Sequence, residues 1–259
     1  MTSLFNLKDK VALVAGAGMG GLGAQAAIAL AEAGCSVAVA DLPSRKEDLL
    51  ETVKEVEKYT SSCISVELDV SSEEDINQAV DEVLKHFGEI DILVNFAGVM
   101  LRKPSIETKL EEWQKVIDIN LTGAWLLARR VGKELISQEH GKIINVSTLY
   151  SNIVGPIPEP AYYASKAGVV NLTRGLASEW GKQNVQVNCI APGVFYPTNM
   201  TKPLVDQPGR LEQMAERTLL GRLGNPETDI QGLVVFLASD ASNYITGQMI
   251  AVDGGWTAW

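Results

Sequence analysis

The sequence predicts an α/β protein, a single doubly wound parallel sheet of the Rossmann-like kind with helices on both faces. Two observations carry this prediction. Short apolar runs of strand length alternate with helical patterns along all 259 residues, and no linker, repeat or low-complexity tract interrupts them. The first apolar run, at 11–15, leads straight into a glycine-rich turn and an alanine-rich helical segment. We therefore expect one domain over 1–259.

The composition disfavours several kinds of partner. A net charge of −10 and an isoelectric point near 4.8 disfavour nucleic acids and membrane surfaces, because both attract clustered Lys and Arg. No apolar run is long enough to cross a bilayer, and the segment 1–10 lacks the apolar stretch of a signal peptide, so we expect a cytoplasmic protein. Cys35, Cys63 and Cys189 are expected to be buried reduced thiols, and the histidines have no ligand-spaced partners, so we predict no metal site.

The glycine-rich turn at 16–23 follows the first predicted strand. Glycines allow a tight turn and a close approach to a diphosphate, and the N–H groups at the start of the next helix stabilise its negative charge. The sequence leaves open whether Gly18 or Gly20 lies on the phosphates. The residues that we assign to the cofactor here are Gly16, Gly18, Gly21, Leu22 and Gly23.

The second predicted strand, at 36–40, ends in Asp41. This carboxylate has the spacing expected for hydrogen bonds with the ribose hydroxyls of an adenosine, and it would repel a 2′-phosphate. Leu42 follows where an NADP-binding protein would favour a basic residue. The pattern predicts NAD over NADP, although the nearby Arg45 and Lys46 leave some use of NADP open.

The alternation continues through the first half of the chain. The next predicted elements are a helix, a strand, a helix and a strand, at 45–58, 64–68, 73–87 and 90–94. Asp69 follows the first of these strands, and 95–98 follows the second. Because ligands bind at the carboxyl ends of the strands in doubly wound sheets, we expect these positions to meet the glycine turn and Asp41 at one edge.

The second half of the chain adds the remaining strands. They are predicted at 142–146, 185–190 and 249–252. A helix that begins near Glu111 contains Asn120, which is either a surface residue or a locally satisfied kink when considered alone. Ser147 follows the strand at 142–146, and a proline-rich loop at 149–160 leads to the next helix.

Tyr162 and Lys166 lie four residues apart, on one face of that helix. A cation beside a phenol favours the phenolate, and such a tyrosine can exchange a proton with an alcohol or a ketone near neutral pH. Because tyrosine and lysine often share this spacing on amphipathic helices, the pair gains meaning only from the rest of the chain.

Taken together, these pieces resemble the short-chain dehydrogenase/reductase family over roughly 7–255. The resemblance lies in the order of the motifs, which are the glycine turn, Asp69-Val70, Asn95-x-Ala97-Gly98, Asn120, Ser147, Tyr162-x-x-x-Lys166, Pro192-Gly193 and Asp253-Gly254-Gly255.

The resemblance implies a catalytic tetrad. Tyr162 would be the general acid/base, and Ser147 would hold the reacting oxygen. Lys166 would bind the nicotinamide ribose and lower the pKa of the tyrosine, and Asn120 would position a water that links Lys166 to solvent. Further contacts with NAD would come from Leu42, Asp69, Val70, Asn95, Ala97, Gly98, Tyr162, Lys166, Pro192, Gly193, Val194 and Thr198. Contacts with the substrate would come from Ser147, Leu149, Tyr162, Gly193, Phe195 and Arg102.

The chain departs from the family pattern at four places. The glycine turn has one extra residue before Gly21, and Phe96 replaces a frequent asparagine. The loop between Ser147 and Tyr162 is about two residues longer than usual, and Thr198 comes one residue late after Pro192-Gly193. The two loop changes would alter the shape of the substrate pocket more than the catalytic groups.

Within the family, the passage 98–104 and the ending at 252–256 look most like sugar-acid and polyol dehydrogenases of the gluconate and deoxygluconate type. The reaction would be hydride transfer between NAD and a secondary alcohol or ketone. Because the loop at 149–160 and the segment 194–196 are apolar, the alternative substrate is a cyclic or aromatic ketone or a 3-oxoacyl thioester. Other hypotheses are isomerase or dehydratase chemistry and NAD binding without catalysis.

The resemblance also implies a homotetramer, assembled through helices near 120–138 and 162–180. Val169, Leu172, Leu176 and Trp180 give the second helix an apolar face that suits either a subunit contact or the core of the chain itself. The segment at about 194–220 would be a mobile cover over the substrate. Trp256 and Trp259 would pack at a subunit contact or at the rim of a pocket.

Overall fold

The computed structural model, which describes residues 3–258, contains one parallel sheet of seven strands in the order β3-β2-β1-β4-β5-β6-β7. The strands are β1 (Val11–Ala15), β2 (Ser36–Asp41), β3 (Cys63–Glu67), β4 (Ile92–Asn95), β5 (Gly141–Val146), β6 (Val185–Pro192) and β7 (Met249–Val252). The chain builds outward from β1 to β3 and then returns to pair β4 with the other side of β1. The connections diverge at this point, which leaves a crevice at the carboxyl ends of β1 and β4.

Helices cover both faces of the sheet, as predicted. They are α1 (Leu22–Glu32), α2 (Lys46–Val56), α3 (Glu73–Phe87), α4 (Leu110–Ile117), α5 (Gly123–Gln138), α6 (Pro160–Trp180), α7 (Arg210–Glu216) and α8 (Gln231–Ala238). One hydrophobic cluster joins α1, α2 and α8 to the sheet, and a second joins α3, α5 and α6 to the opposite face.

The residues of β1 show why this strand is apolar throughout. Side chains alternate between the faces of a strand, and here Val14 belongs to one hydrophobic cluster while Leu13 belongs to the other. Both side chains are fully buried. A central parallel strand covered on both faces needs a continuous apolar run rather than alternation, and that is what the sequence at 11–15 contains.

Most predicted boundaries differ from the structure by one or two residues, and β1, α3 and β7 have the predicted ends. The Ser72 side chain caps α3 by accepting a hydrogen bond from Asp75 N, and Gly88 ends it in the left-handed conformation. The sequence analysis did not identify α7 and α8. Cys35 and Cys189 are buried free thiols as expected, whereas Cys63 is half-buried. Within residues 3–258, no helix is long and apolar enough to cross a membrane.

Candidate active site

A cavity of about 1360 Å³ opens at the carboxyl edge of the sheet. The glycine turn and Asp41 line it on one side, and Ser147, Tyr162 and Lys166 line it on the other. These groups come from β1, β2, β5 and α6, whose ends meet only because the strands run parallel. The cavity therefore combines the predicted dinucleotide site and the predicted catalytic groups in one space.

Most of the predicted site residues line this cavity, and four of them do not. The predicted residues that line it are Gly16, Gly18, Gly21, Leu22, Gly23, Asp41, Leu42, Asp69, Val70, Ala97, Gly98, Arg102, Ser147, Tyr162, Lys166, Pro192, Gly193, Phe195 and Thr198. The predicted residues outside the lining are Asn95, Asn120, Leu149 and Val194. Asn95 instead supports the loop after β4, because its Oδ1 accepts a hydrogen bond from Ala97 N at 3.1 Å.

The structure resolves the choice between the two glycines of the turn. Gly18 lines the cavity, and its N–H donates to Asp41 Oδ2 at 2.8 Å. A Cβ at Gly18 would lie 2.8 Å from that oxygen and 3.0 Å from Arg45 Nη2, so a side chain there would displace Asp41 or Arg45. Gly20 has a φ of +83° and faces Asn199 instead. Of these two glycines, Gly18 therefore lines the cavity and Gly20 does not.

The residues present suit a nicotinamide dinucleotide. Gly21 and Gly23 line the cavity at the start of α1, and no side chain caps the N–H groups of this helix end. Such uncapped N–H groups favour a diphosphate. Asp41 accepts hydrogen bonds from Gly18 N and Leu42 N, each at 2.8 Å, which orients its carboxylate at the end of β2. Residues at the glycine turn, Asp41 and Thr198 would hold the cofactor.

Three hydrogen bonds fix the catalytic groups at the junction of β5 and α6. Lys166 Nζ donates to Val146 O at 2.8 Å, and Ser147 Oγ donates to Lys166 O at 2.7 Å. The Tyr162 hydroxyl is hydrogen-bonded to the side chain of Thr148. All three predicted side chains are buried, so their hydroxyls and ammonium are oriented by the protein rather than by solvent.

Burial shifts both titratable groups of the pair. It lowers the pKa of Lys166 to about 8, because the ammonium loses its water. Burial also raises the pKa of the Tyr162 phenol above its usual value, and the hydrogen bond with Thr148 acts in the opposite direction. Burial thus shifts the pKa of this tyrosine upward, whereas the resemblance implied a lowering by Lys166.

Asn120 lies behind the cavity, in a turn of π-helix at Asp118–Thr122 between α4 and α5. Its Oδ1 accepts from Val99 N at 2.7 Å, and its Nδ2 donates to Val99 O at 2.9 Å and to Ser165 Oγ at 3.0 Å. The side chain is 1% exposed. Asn120 is therefore a buried residue that ties the loop after β4 to α6, and its side chain already has three protein partners.

Arg102 lines the cavity with its guanidinium already paired. Arg102 Nε donates to Glu159 Oε1 at 2.9 Å, and Nη2 donates to Met200 O at 3.3 Å. Glu159 is 2% exposed, and burial raises its pKa although Arg102 opposes the shift. The sequence analysis missed Glu159, and its only signal is an acidic residue between two prolines of an apolar loop.

Most apolar residues of the two lengthened loops lie away from the cavity, whereas Phe195 lines it. Leu149 is 2% exposed and belongs to a separate cluster with Leu204, Met214 and Trp256, against which Ile153, Ile157 and Val194 pack. Trp256 is therefore a core residue rather than a rim residue, and Trp259 lies outside the described residues. The expectation of an apolar substrate pocket is wrong for these side chains, because they bury one another.

Other cavity residues were also missed by the sequence analysis. Thr148 and Asn199 line the cavity beside Ser147 and Thr198. The signal for Thr148 is a second hydroxyl at the same strand end. Asn199 has no comparable signal, because its contacts are with residues far away in the chain.

Known proteins resemble this chain over nearly its whole length. The sequence profile of a family described as "Enoyl-(Acyl carrier protein) reductase" matches residues 16–257. The chain is 40% identical over 255 residues to the 2-dehydro-3-deoxy-D-gluconate 5-dehydrogenase of Dickeya dadantii, with 98% of each chain covered. It is 42% identical over 252 residues to the enzyme of that name from Bacillus subtilis, covering 97% of this chain and 96% of that one.

A solved structure also resembles the fold closely. The gluconate 5-dehydrogenase of Burkholderia cenocepacia, in complex with NADP and tartrate, shares 33% identity and a TM-score of 0.91 over 99% of this chain and 98% of that one. Fold and site together define an oxidoreductase that uses a nicotinamide dinucleotide and acts on CH–OH groups. With matches of this identity and coverage, the chain belongs to the short-chain dehydrogenase/reductase family.

Proposed function

We propose that the protein transfers a hydride between NAD and a secondary alcohol or ketone of a sugar acid or a polyol. The observation that carries this proposal is that Ser147, Tyr162 and Lys166 share one cavity with the glycine turn and Asp41. The sugar-acid dehydrogenases among its relatives support the substrate class.

The proposed mechanism assigns one task to each buried group. When bound, the nicotinamide ring supplies or accepts the hydride. Tyr162 exchanges the proton with the substrate oxygen. The Ser147 hydroxyl turns away from Lys166 O and donates its hydrogen bond to that oxygen instead. Lys166 holds the nicotinamide ribose and stabilises the deprotonated tyrosine. Asn120 keeps the loop after β4 and the start of α6 in register, and a water at its turn would connect Lys166 to solvent.

NAD is the proposed cofactor because Asp41 presents a carboxylate at the end of β2. A 2′-phosphate beside this carboxylate would be repelled. The relative from B. cenocepacia was solved with NADP, and Arg45 lines the cavity near Gly18 in this protein. Comparing kcat/KM for NAD and NADP measures the preference directly.

Arg102 is the proposed partner of a substrate carboxylate. Its ion pair with Glu159 leaves Nη1 and part of Nη2 for a second anion, and the guanidinium lines the cavity. Arg102→Ala should therefore raise KM for sugar acids by about tenfold or more and leave KM for neutral polyols nearly unchanged. An equal loss on both classes would contradict this role.

Polar side chains beside the predicted catalytic groups favour a hydroxylated substrate over the alternative. Most of the apolar loop residues that suggested a cyclic ketone or a 3-oxoacyl thioester pack around Trp256, whereas Phe195 lines the cavity. Thr148, Arg102 and Asn199 line it as well and offer polar contacts. We therefore keep a hydroxylated, anionic or neutral substrate as the proposal.

We also propose that the protein forms a homotetramer in the cytoplasm through α5 and α6. A groove on these helices is lined by Trp125, Arg129, Leu172 and Trp180, and Trp125 is 40% exposed. Of the predicted apolar face, Val169 and Leu176 belong to the core of the chain itself, so Leu172 and Trp180 are the members available to a partner.

The experiment that tests the proposal follows nicotinamide absorbance with NAD and a panel of sugar acids, polyols, cyclic alcohols and their ketones. Wild type and Tyr162→Phe are compared on each compound, and NAD binding is measured separately by fluorescence. We expect turnover on the sugar acids or polyols, and we expect its loss in Tyr162→Phe with NAD binding retained. Unchanged turnover in Tyr162→Phe would contradict the mechanism.

A further inference from the structure

Two of the departures from the family pattern meet in space. The glycine turn has an extra residue before Gly21, and the segment after β6 brings Thr198 one residue late. In the folded protein, Asn199 N donates to Gly20 O at 2.8 Å, and Asn199 Nδ2 donates to Met19 O at 3.0 Å. One lengthened segment is thus hydrogen-bonded directly to the other.

The backbone at Gly20 leaves room for the Asn199 side chain only because residue 20 is a glycine. Gly20 has a φ of +83°, which L side chains rarely adopt, and a Cβ there would lie 2.6 Å from Asn199 Oδ1. Met19 is held from its other side, because its N–H donates to Asp48 O at 3.1 Å and its carbonyl accepts from Arg45 Nη2 at 3.2 Å. The Met19 carbonyl that Asn199 Nδ2 binds is therefore also held by Arg45.

The segment that carries Asn199 is also anchored at its far side. Thr201 Oγ1 donates to Phe195 O at 2.7 Å, which closes the chain into a compact turn. The next residue along from Asn199, Met200, accepts the hydrogen bond from Arg102 through its carbonyl. We name residues 198–201 the strap, because they run between the glycine turn and Arg102.

The strap borders the same cavity as the turn that it binds. All four strap residues line the cavity, and Gly18 and Gly21 line it across from them. Asn199 therefore closes the gap between the part of the cavity suited to a diphosphate and the part beside the catalytic groups. A dinucleotide in this cavity would lie beside the strap, whose position depends on the Asn199 contacts.

We propose that Asn199 is a positioning residue that fastens the strap to the glycine turn and sets the rate at which the dinucleotide dissociates. This inference rests on the proposed function only in assuming that a nicotinamide dinucleotide occupies the cavity. The strap also holds the carbonyl of Met200 against Arg102, so loosening it weakens the substrate site as well.

The test measures the dissociation rate of NADH by stopped-flow fluorescence, with excess NAD as the displacing ligand and no alcohol present. Asn199→Ala should raise this rate by roughly two- to tenfold, the range expected for the loss of one neutral hydrogen bond. KM for NAD should rise together with the dissociation rate. The value of kcat should stay equal to that of wild type, or increase if release of the dinucleotide limits turnover. Gln207→Ala is the matched control in the same region, since the Gln207 side chain has no hydrogen bond within the described residues.

Gly20→Ala tests the contact from the other side. Its Cβ collides with Asn199, so it should raise the dissociation rate in wild type and have a smaller additional effect in Asn199→Ala. The inference is overturned if NADH dissociates from Asn199→Ala no faster than from the Gln207→Ala control. It is also overturned if Gly20→Ala raises the dissociation rate by the same factor in wild type and in Asn199→Ala. Tight NADH binding by wild type without turnover on any panel compound would contradict the proposed function and would leave this rate comparison intact.

Discussion

Two lysines are buried with a pKa lowered to about 8, and only one of them lies in the active site. Lys166 lines the cavity, whereas Lys142 lies near the opposite end of β5, where its Nζ donates to Asn243 Oδ1 at 2.7 Å. Burial is the largest cause in both cases, because a charged ammonium loses its water. Lys142→Met is therefore a matched control for Lys166→Met.

The pKa shift of Lys166 gives a magnitude for the change in stability expected of Lys166→Met. A pKa lowered from 10.5 to about 8 corresponds to about 3 kcal/mol at neutral pH, which is the cost of keeping the buried ammonium charged. The Met variant removes this cost and also loses the hydrogen bond to Val146 O, worth about 1 kcal/mol. We expect the free energy of unfolding of Lys166→Met to exceed that of wild type by about 2 kcal/mol at neutral pH, with turnover lost.

The pH dependence gives a second signature. Since the pKa of Lys166 is lower in the folded than in the unfolded state, the unfolded state binds more protons between pH 8 and 10.5, and the free energy of unfolding rises with pH over that window. From neutral pH to about pH 9.5, the rise is about 2 kcal/mol for each buried lysine. In each Met variant, the free energy of unfolding should therefore rise by about 2 kcal/mol less than in wild type over this pH range.

Urea unfolding followed by tryptophan fluorescence at several pH values between 7 and about 9.5 measures both effects, below the range in which most tyrosines ionise. Lys142→Met should lose the same share of the pH dependence and keep turnover. A Lys166→Met protein that is less stable than wild type at neutral pH, with an unchanged pH dependence, would refute the reasoning that burial destabilises this ammonium.

Three further changes test other parts of the molecule. Asp41→Asn should reduce the preference for NAD over NADP by about tenfold, because a neutral amide no longer repels a 2′-phosphate, and an unchanged ratio of kcat/KM values would contradict that assignment. Asn120→Ala should lower the free energy of unfolding by about 2–4 kcal/mol in urea, since Val99 and Ser165 lose buried partners, and a loss below about 1 kcal/mol would argue against this role. Trp125→Glu should lower the molar mass measured by light scattering if the groove on α5 and α6 is a subunit contact, because the new carboxylate would be buried there. An unchanged molar mass would place the interface elsewhere.

The sequence alone was sufficient for the sheet and for the order of the motifs. Buried parallel strands are local apolar runs, and α3 carries its own start signal at Ser72 and its own end signal at Gly88. The glycine turn and Asp41 were recognisable because their spacing follows one β-α-β unit. The spacing of Tyr162 and Lys166 likewise depends only on the period of a single helix.

The tertiary structure decided how the loops are arranged around those elements. Gly20 packs against Asn199, which is hydrogen-bonded to Met19 across 180 residues of the chain. The ion pair between Arg102 and Glu159 joins residues 57 apart in the chain. Leu149 does not line the cavity, because it is buried in the apolar cluster around Trp256. Hydrophobic burial and hydrogen bonding act between groups that are close in space, whatever their separation along the chain. These contacts therefore depend on how separate segments pack, and no local sequence pattern predicts them.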